Sequence, residues 1–159
     1  MKIRLANKSD LPEVLNLQKF AYKEEAEIYG DYSIPPLTQT LEQLEEEFSK
    51  KTILVAEINN IIVGSVRAEA ISGTCHIRRL IVSPDFQNQG IGTRLLAEIE
   101  KKFRSSIRYE LFTGQKSEKN IYLYQKLGYC IFKSEKMSDK VNVVYLEKYI
   151  DDNNIHINR

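Results

Sequence analysis

The sequence predicts a single mixed α/β domain with the element order β-α-α-β-β-β-α-β-α-β-β. Three observations carry that prediction. Apolar residues recur at helical spacing near the N-terminus and give way to β-branched runs in the middle of the chain. One of those runs, a glycine-containing turn and an amphipathic segment then lead into a further apolar run, the pattern of a parallel crossover. The chain has 159 residues, 42% of them apolar and 28% charged, and a domain of this size buries about 68–70% of its unfolded surface.

Taken in order, residues 2–6 alternate polar and apolar as a short strand. Ser9 is expected to cap a helix with Pro12 in its first turn, where a missing N–H does no harm. Leu11, Val14, Leu15, Leu17, Gln18 and Ala21 follow at helical spacing, and Gly30, Pro35 and Pro36 break it. Thr40 and Gln43 have the spacing of a capping box that opens a second helix through Phe48. Residues 52–58 and 61–70 are strands joined by Asn59-Asn60, a two-residue hairpin signal. Ser72-Gly73 turns the chain into a third run, 74–82. Residues 90–103 form a helix with Ile91, Leu95, Leu96 and Ile99 on one face. A strand at 107–113 follows, then a helix at 117–127 ended by Gly128. Residues 129–133 and 141–147 supply a last strand pair. The domain spans 1–150, and 151–159 reads as a polar C-terminal tail that frays.

Charge and cysteine usage narrow the function. Twenty-three Lys and Arg against 22 Asp and Glu leave a net charge of +1, too balanced for a basic nucleic-acid binder. No apolar run is long enough to span a membrane, and the N-terminus has no signal-peptide core. Cys75 and Cys130 have no CxxC spacing and are expected to be buried free thiols in a reducing compartment. The expectation is a cytoplasmic protein with no metal, no membrane and no nucleic-acid partner. A homodimer is left open.

The chemistry concentrates between the strand ending at Val82 and the helix starting near Gly90. The first N–H groups of a helix lack acceptors and its dipole adds about half a positive charge there, so a glycine-bearing helix start is an anion site. Gly90 and Gly92 remove side chains that would hold an oxygen away. The segment lacks the Lys-Ser/Thr ending of a Walker loop, and Leu95 stands where a dinucleotide fingerprint needs a third glycine. On spacing alone, phosphate binding and tight helix–strand packing account for these glycines equally well.

Gln87-Asn88-Gln89-Gly90-Ile91-Gly92 matches the Q/R-x-x-G-x-G/A signature, and the chain here resembles the GNAT acyltransferase superfamily. The approach Arg79-Leu80-Ile81-Val82-Ser83-Pro84 and the downstream Leu123-Tyr124-Gln125-Lys126-Leu127-Gly128-Tyr129, similar to LYxKxGF, extend the resemblance, and the element order agrees with it over 1–147. The resemblance implies the acyl-CoA N-acyltransferase fold and acyl transfer from acetyl-CoA, or a longer acyl-CoA, to a small-molecule or peptide amine. It implies that the backbone of Asn88 to Thr93 cradles the CoA pyrophosphate, with Gln87, Thr93 and Arg94 beside it. Leu80, Ile81 and Val82 would lie along the pantetheine in a form of strand addition, and the Val82 N–H would face the thioester oxygen. Ser117 and Asn120 are further candidate CoA contacts, Ser117 being a plausible helix cap as well.

Tyr124 matches the tyrosine that serves the departing thiolate in much of the family. A phenol of pKa about 10 is a poor outright acid toward a thiol of about 8.5, but a good hydrogen-bond donor to charge developing on sulfur. A free lysine amine is neutral in only about 0.04% of molecules at pH 7, so a proton must be removed, directly or through water. Phe112 stands where some members carry a glutamate base. Glu110, on the same strand face, is the candidate, with Glu69, His76 and a water chain as alternatives. Tyr22, Glu25, Tyr29 and Tyr32, between the first two helices, are expected to contact the acceptor. Neither motif contains a cysteine, which favours direct attack in a ternary complex. The alternative is a non-catalytic acyl-CoA-binding regulatory domain of the same fold.

Overall fold

A computed structural model describes residues 1–150; the tail expected at 151–159 lies outside the described residues. Seven strands form one sheet in the order β1-β2-β3-β4-β5-β7-β6. These are β1 (Lys2–Leu5), β2 (Thr52–Ile58), β3 (Ile61–Ile71), β4 (Thr74–Val82), β5 (Arg108–Gly114), β6 (Cys130–Lys136) and β7 (Asn142–Tyr149). The helices are α1 (Leu11–Tyr29), α2 (Pro35–Thr38), α3 (Leu41–Phe48), α4 (Ile91–Lys102) and α5 (Glu118–Lys126). β4 and β5 run parallel across the α4 crossover, and the other neighbours are antiparallel.

Local chemistry explains most element ends. Asn59 and Asn60 both take positive φ, 51° and 64°, as a right-twisted two-residue hairpin requires. The Thr40 hydroxyl accepts from Gln43 N–H at 3.2 Å while the Gln43 side chain accepts from Thr40 N–H at 3.0 Å, completing the capping box. One local expectation fails and another is extended. Ser9 is not the cap of α1: it lies inside a 3-10 turn, Lys8–Asp10, held by Asn7 N–H donating to the Asp10 carboxylate at 2.6 Å. Pro35 and Pro36 do not merely break the chain; they occupy the first turn of α2, where proline's fixed φ favours a helix start.

The core is divided by the sheet. On one face α4 and α5 cover Leu54, Val66, Ile77 and Leu111 with Leu95, Leu96, Ile99 and Tyr124. On the other, α1 and α3 cover Ile53, Val55, Ile62 and Ile81 with Leu11, Val14 and Leu44. Each such side chain, fully buried, contributes about 1.5–3 kcal/mol, so the expected helical stripes are what hold α1 and α4 to the sheet. Cys75 is buried and burial pushes its thiol up to about 12, whereas Cys130 is exposed on β6. The expectation of two buried thiols therefore holds for one. β6 is exposed along its whole length because it is the edge strand and no helix covers it.

Candidate active site

The site follows from how briefly β4 and β5 stay together. Their parallel ladder has three steps, Thr74, Cys75 and His76 opposite Arg108, Tyr109 and Glu110. Beyond it the strands part, and the β4 backbone that would have faced β5 is left without a strand partner on that side. β4 also carries a bulge there. Ser65 of β3 faces Ile81 and Arg67 faces Arg78, so Arg79 and Leu80 together oppose Val66. A cleft at the C-terminal ends of parallel strands results, the general ligand position in such sheets.

One arm of the cleft is made of backbone. The loop after β4 is exposed at Gln87, Asn88, Gln89 and Gly90, and Asn88 and Gly90 take positive φ of 63° and 79° to aim it into α4. Gly90 caps α4 with no side-chain hydrogen bond. The first helical bond runs from Arg94 N–H to Gly90 at 3.1 Å, so the N–H groups ahead of it have no helical acceptor. A Cβ built on Gly92 would lie 3.7 Å from Val82 and 3.8 Å from Leu123, ordinary contact. The fold does not need a glycine there. The bare N–H cradle, flanked by exposed Thr93 and Arg94, suits the pyrophosphate of a CoA thioester.

The other arm is a cavity of about 340 Å³ built from side chains. Leu80, Phe112 and Thr113 line its sheet side, Tyr124 comes from α5, and Tyr22, Glu25 and Tyr29 line its α1 side. Tyr124 is 6% exposed, and burial raises its phenol above the ordinary tyrosine range, so it stays protonated. Its hydroxyl makes no hydrogen bond to another described residue. Ser117 Oγ donates to Glu25 at 2.6 Å, and Asn120 donates to the other Glu25 oxygen at 3.4 Å and to Thr113 at 3.2 Å. The Tyr29 hydroxyl accepts from Lys116 N–H at 2.8 Å and lies 2.8 Å from Ser117 Oγ. Burial raises the Glu25 carboxyl, the Ser117 hydrogen bond only partly opposing it.

Several expected site residues stand elsewhere. Ser117 makes no cap bond to α5; it and Asn120 are tied to Glu25. Glu110 does not line the cavity. It sits at the last step of the β4–β5 ladder, before the strands part, within 3.4 Å of Arg78, 3.5 Å of Arg108 and 3.6 Å of His76. Strand alternation put it on the correct face but could not tell how far along the strand the cleft begins. Tyr32 is 61% exposed and outside the lining, and Ile81 turns away into the α1 core. The residue the motifs did not single out is Arg79, which reaches the cavity only because of the bulge. Among the described residues no helix is long and apolar enough to cross a membrane, and no three His, Cys, Asp or Glu are placed to hold a metal ion.

Residues 12–129 match the Acetyltransferase (GNAT) family. The chain is 23% identical over 138 residues to the L-amino acid N-acyltransferase MnaT of Escherichia coli, covering 82% of this chain and 80% of that protein. In fold it is similar to PaiA N-acetyltransferase from Thermoplasma acidophilum in complex with coenzyme A, with a TM-score of 0.77, 19% identity, and 94% and 99% of the two chains covered. It is also similar to YncA from Salmonella typhimurium with its cofactor acetyl-CoA, with a TM-score of 0.75, 17% identity, and 95% and 94% covered.

Proposed function

The chain belongs to the GNAT acetyltransferase family, and on that footing we propose that it is an N-acetyltransferase passing an acetyl group from acetyl-CoA to a primary amine by direct attack in a ternary complex. The observation that carries the reading is the parting of β4 from β5, which leaves an open β4 edge ahead of the helix start at Gly90 and beside the cavity that holds the Tyr124 phenol. The donor supplies an activated acyl thioester.

The chain's own residues divide the work. N–H groups from Asn88 to Thr93 hold the pyrophosphate, and the open edge at Leu80 to Val82 pairs with the pantetheine amides. The Val82 N–H faces the thioester oxygen as negative charge gathers there. Glu25 orients the acceptor ammonium and takes its proton. Its raised pKa makes it a stronger base than a solvated carboxylate, and Ser117 and Asn120 fix its plane. We prefer Glu25 to Glu110 in this role because Glu110 does not line the cavity and is committed to Arg78 and Arg108. As the new C–N bond forms and the C–S bond breaks, Tyr124 donates a hydrogen bond to the departing sulfur.

Thermal unfolding with and without acetyl-CoA, with ATP and NAD as controls, tests the donor. At a hundredfold excess over Kd, binding adds about 2.7 kcal/mol, a midpoint rise of roughly 5–10 °C for a domain this size. Tyr124→Phe then tests catalysis. Thiol release should fall roughly a hundredfold or more while the acetyl-CoA midpoint rise is kept. Acetyl-CoA binding with no turnover on any amine would instead identify a non-catalytic acyl-CoA-binding domain.

A further inference from the structure

Three charges line the acceptor cavity without an ion-pair partner among the described residues: Arg79, Glu25 and Asp31, the last accepting only from Ser33. Arg4, Arg67, Arg78 and Arg108 each pair with a carboxylate at 2.8–3.4 Å. Arg79 forms no ion pair among the described residues, and its buried Nε, like that of Arg67, has no hydrogen-bond acceptor. Glu25 accepts only from neutral groups, Ser117 and Asn120. Arg79 and Glu25 do not pair with each other. A part-buried charge without a counter-ion is costly, so the cavity is poised for a ligand that supplies both.

The backbone at Arg79 strengthens the case. Its φ is 55°, a left-handed value that glycine adopts freely and a side chain adopts at a cost. A bulge of this type usually carries glycine at that position. Here the strained position holds a guanidinium, and the bulge turns it onto the α1 side of the sheet, next to Tyr22, instead of leaving it in register. The rest of the lining is largely apolar, with Ile34, Pro36, Leu80, Phe112, Met137 and Val143.

We propose that the acceptor is a small amine bearing its own carboxylate, an amino acid: Arg79 binds the carboxylate, Glu25 receives the ammonium, and the apolar wall takes the side chain. The inference rests on the N-acetyltransferase reading and excludes polyamines and internal lysines, which bring no carboxylate, and protein N-termini, whose carboxylate is an amide.

The test compares the standard L-amino acids with their α-amides and decarboxylated amines, in two readouts. The first is thiol release from acetyl-CoA. The second is the midpoint rise each compound adds to CoA-saturated protein, which needs no turnover. At least one free amino acid should exceed its amide and its amine in kcat/KM by roughly tenfold or more, the size of one charge-assisted hydrogen bond. The amide is the less basic amine, so protonation cannot produce that order. Arg79→Gln should erase the preference, read as the ratio of kcat/KM for the acid over its amide falling to about one. Arg79→Gly, which suits the left-handed backbone, should do the same and guards against misfolding. Amides or simple amines acting as well as the acids, or a preference that survives both variants, would overturn the proposal. So would the absence of both turnover and binding with every amino acid. Amino-acid binding that depends on Arg79 without thiol release would uphold the recognition and overturn the enzymatic reading.

Discussion

Two glycines separate the two arms of the site. At Gly92, in the cradle, an added Cβ would make ordinary contacts with Val82 and Leu123; at Gly114, beside the cavity, it would overlap the Tyr29 phenol oxygen. The protein leaves the first space bare and fills the second itself. A backbone cradle needs only exposed N–H groups and room for an anion, so consecutive residues suffice to build it. The acceptor cavity needs side chains from α1, β4, β5 and α5 to meet, and Gly114 is one of the conditions of that meeting.

The contrast can be broken most severely at Glu25. Glu25→Gln keeps the shape and one acceptor oxygen, turns the other into an N–H donor and removes the base, and turnover should drop by roughly 10²–10⁴ while acetyl-CoA binding is untouched. In the unmodified protein the rate should fall as pH drops through the raised Glu25 value, above the ordinary carboxylate range. The pH–rate profile of the variant should lack that limb. A limb unchanged in the variant would assign the proton to another group.

Next in size is the ion pair between β3 and α3. Arg67 is 1% exposed and pairs with Glu47 of α3 at 3.0 Å, and it also donates to the side-chain oxygens of Gln18 and Gln39. Glu47→Ala would strand that buried charge and should cost about 3–5 kcal/mol in denaturant unfolding. Burial raises the Glu47 carboxyl, but the Arg67 charge and hydrogen bonds from Gln39 and Lys51 outweigh it and leave it lowered. A lowered carboxylate contributes stability fully above its unfolded value of about 4.3, and that stability is lost as pH falls through the folded value. Acid unfolding of Glu47→Ala should lack this component.

The smallest effects separate the two glycines directly. Gly114→Ala must displace a Tyr29 hydroxyl fixed by Lys116 and Ser117, at about 1–3 kcal/mol. Gly92→Ala, in the first turn of α4, should instead leave stability unchanged or raise it by up to about 1 kcal/mol. It should still weaken acetyl-CoA binding, because the methyl group enters the cradle. Equal stability losses at both positions would show that Gly92 serves packing.

How much was legible in advance follows the same division. The hairpin at Asn59-Asn60, the capping box at Thr40 and the helix stripe of α4 depend on neighbours within a few residues, and the structure has them where the sequence puts them. Tyr22, Glu25 and Tyr29 were expected between two helices but lie within α1, which runs on to Tyr29, and nothing local distinguishes Glu25 from Glu24 or Glu27, both exposed. Only the arrival of Ser117 and Asn120 from α5 selects it.

By itself, then, the sequence determined the order and type of the strands and main helices, the parallel crossover, and the N–H cradle after β4. These depend on periodicity and backbone chemistry that a short segment carries with it. The tertiary structure alone decided that β7 inserts between β5 and β6, that β4 and β5 part after three residues, and that a bulge swings Arg79 into the cavity. Those outcomes depend on pairing and register between distant segments, where a shift of one residue sends a side chain to the opposite face.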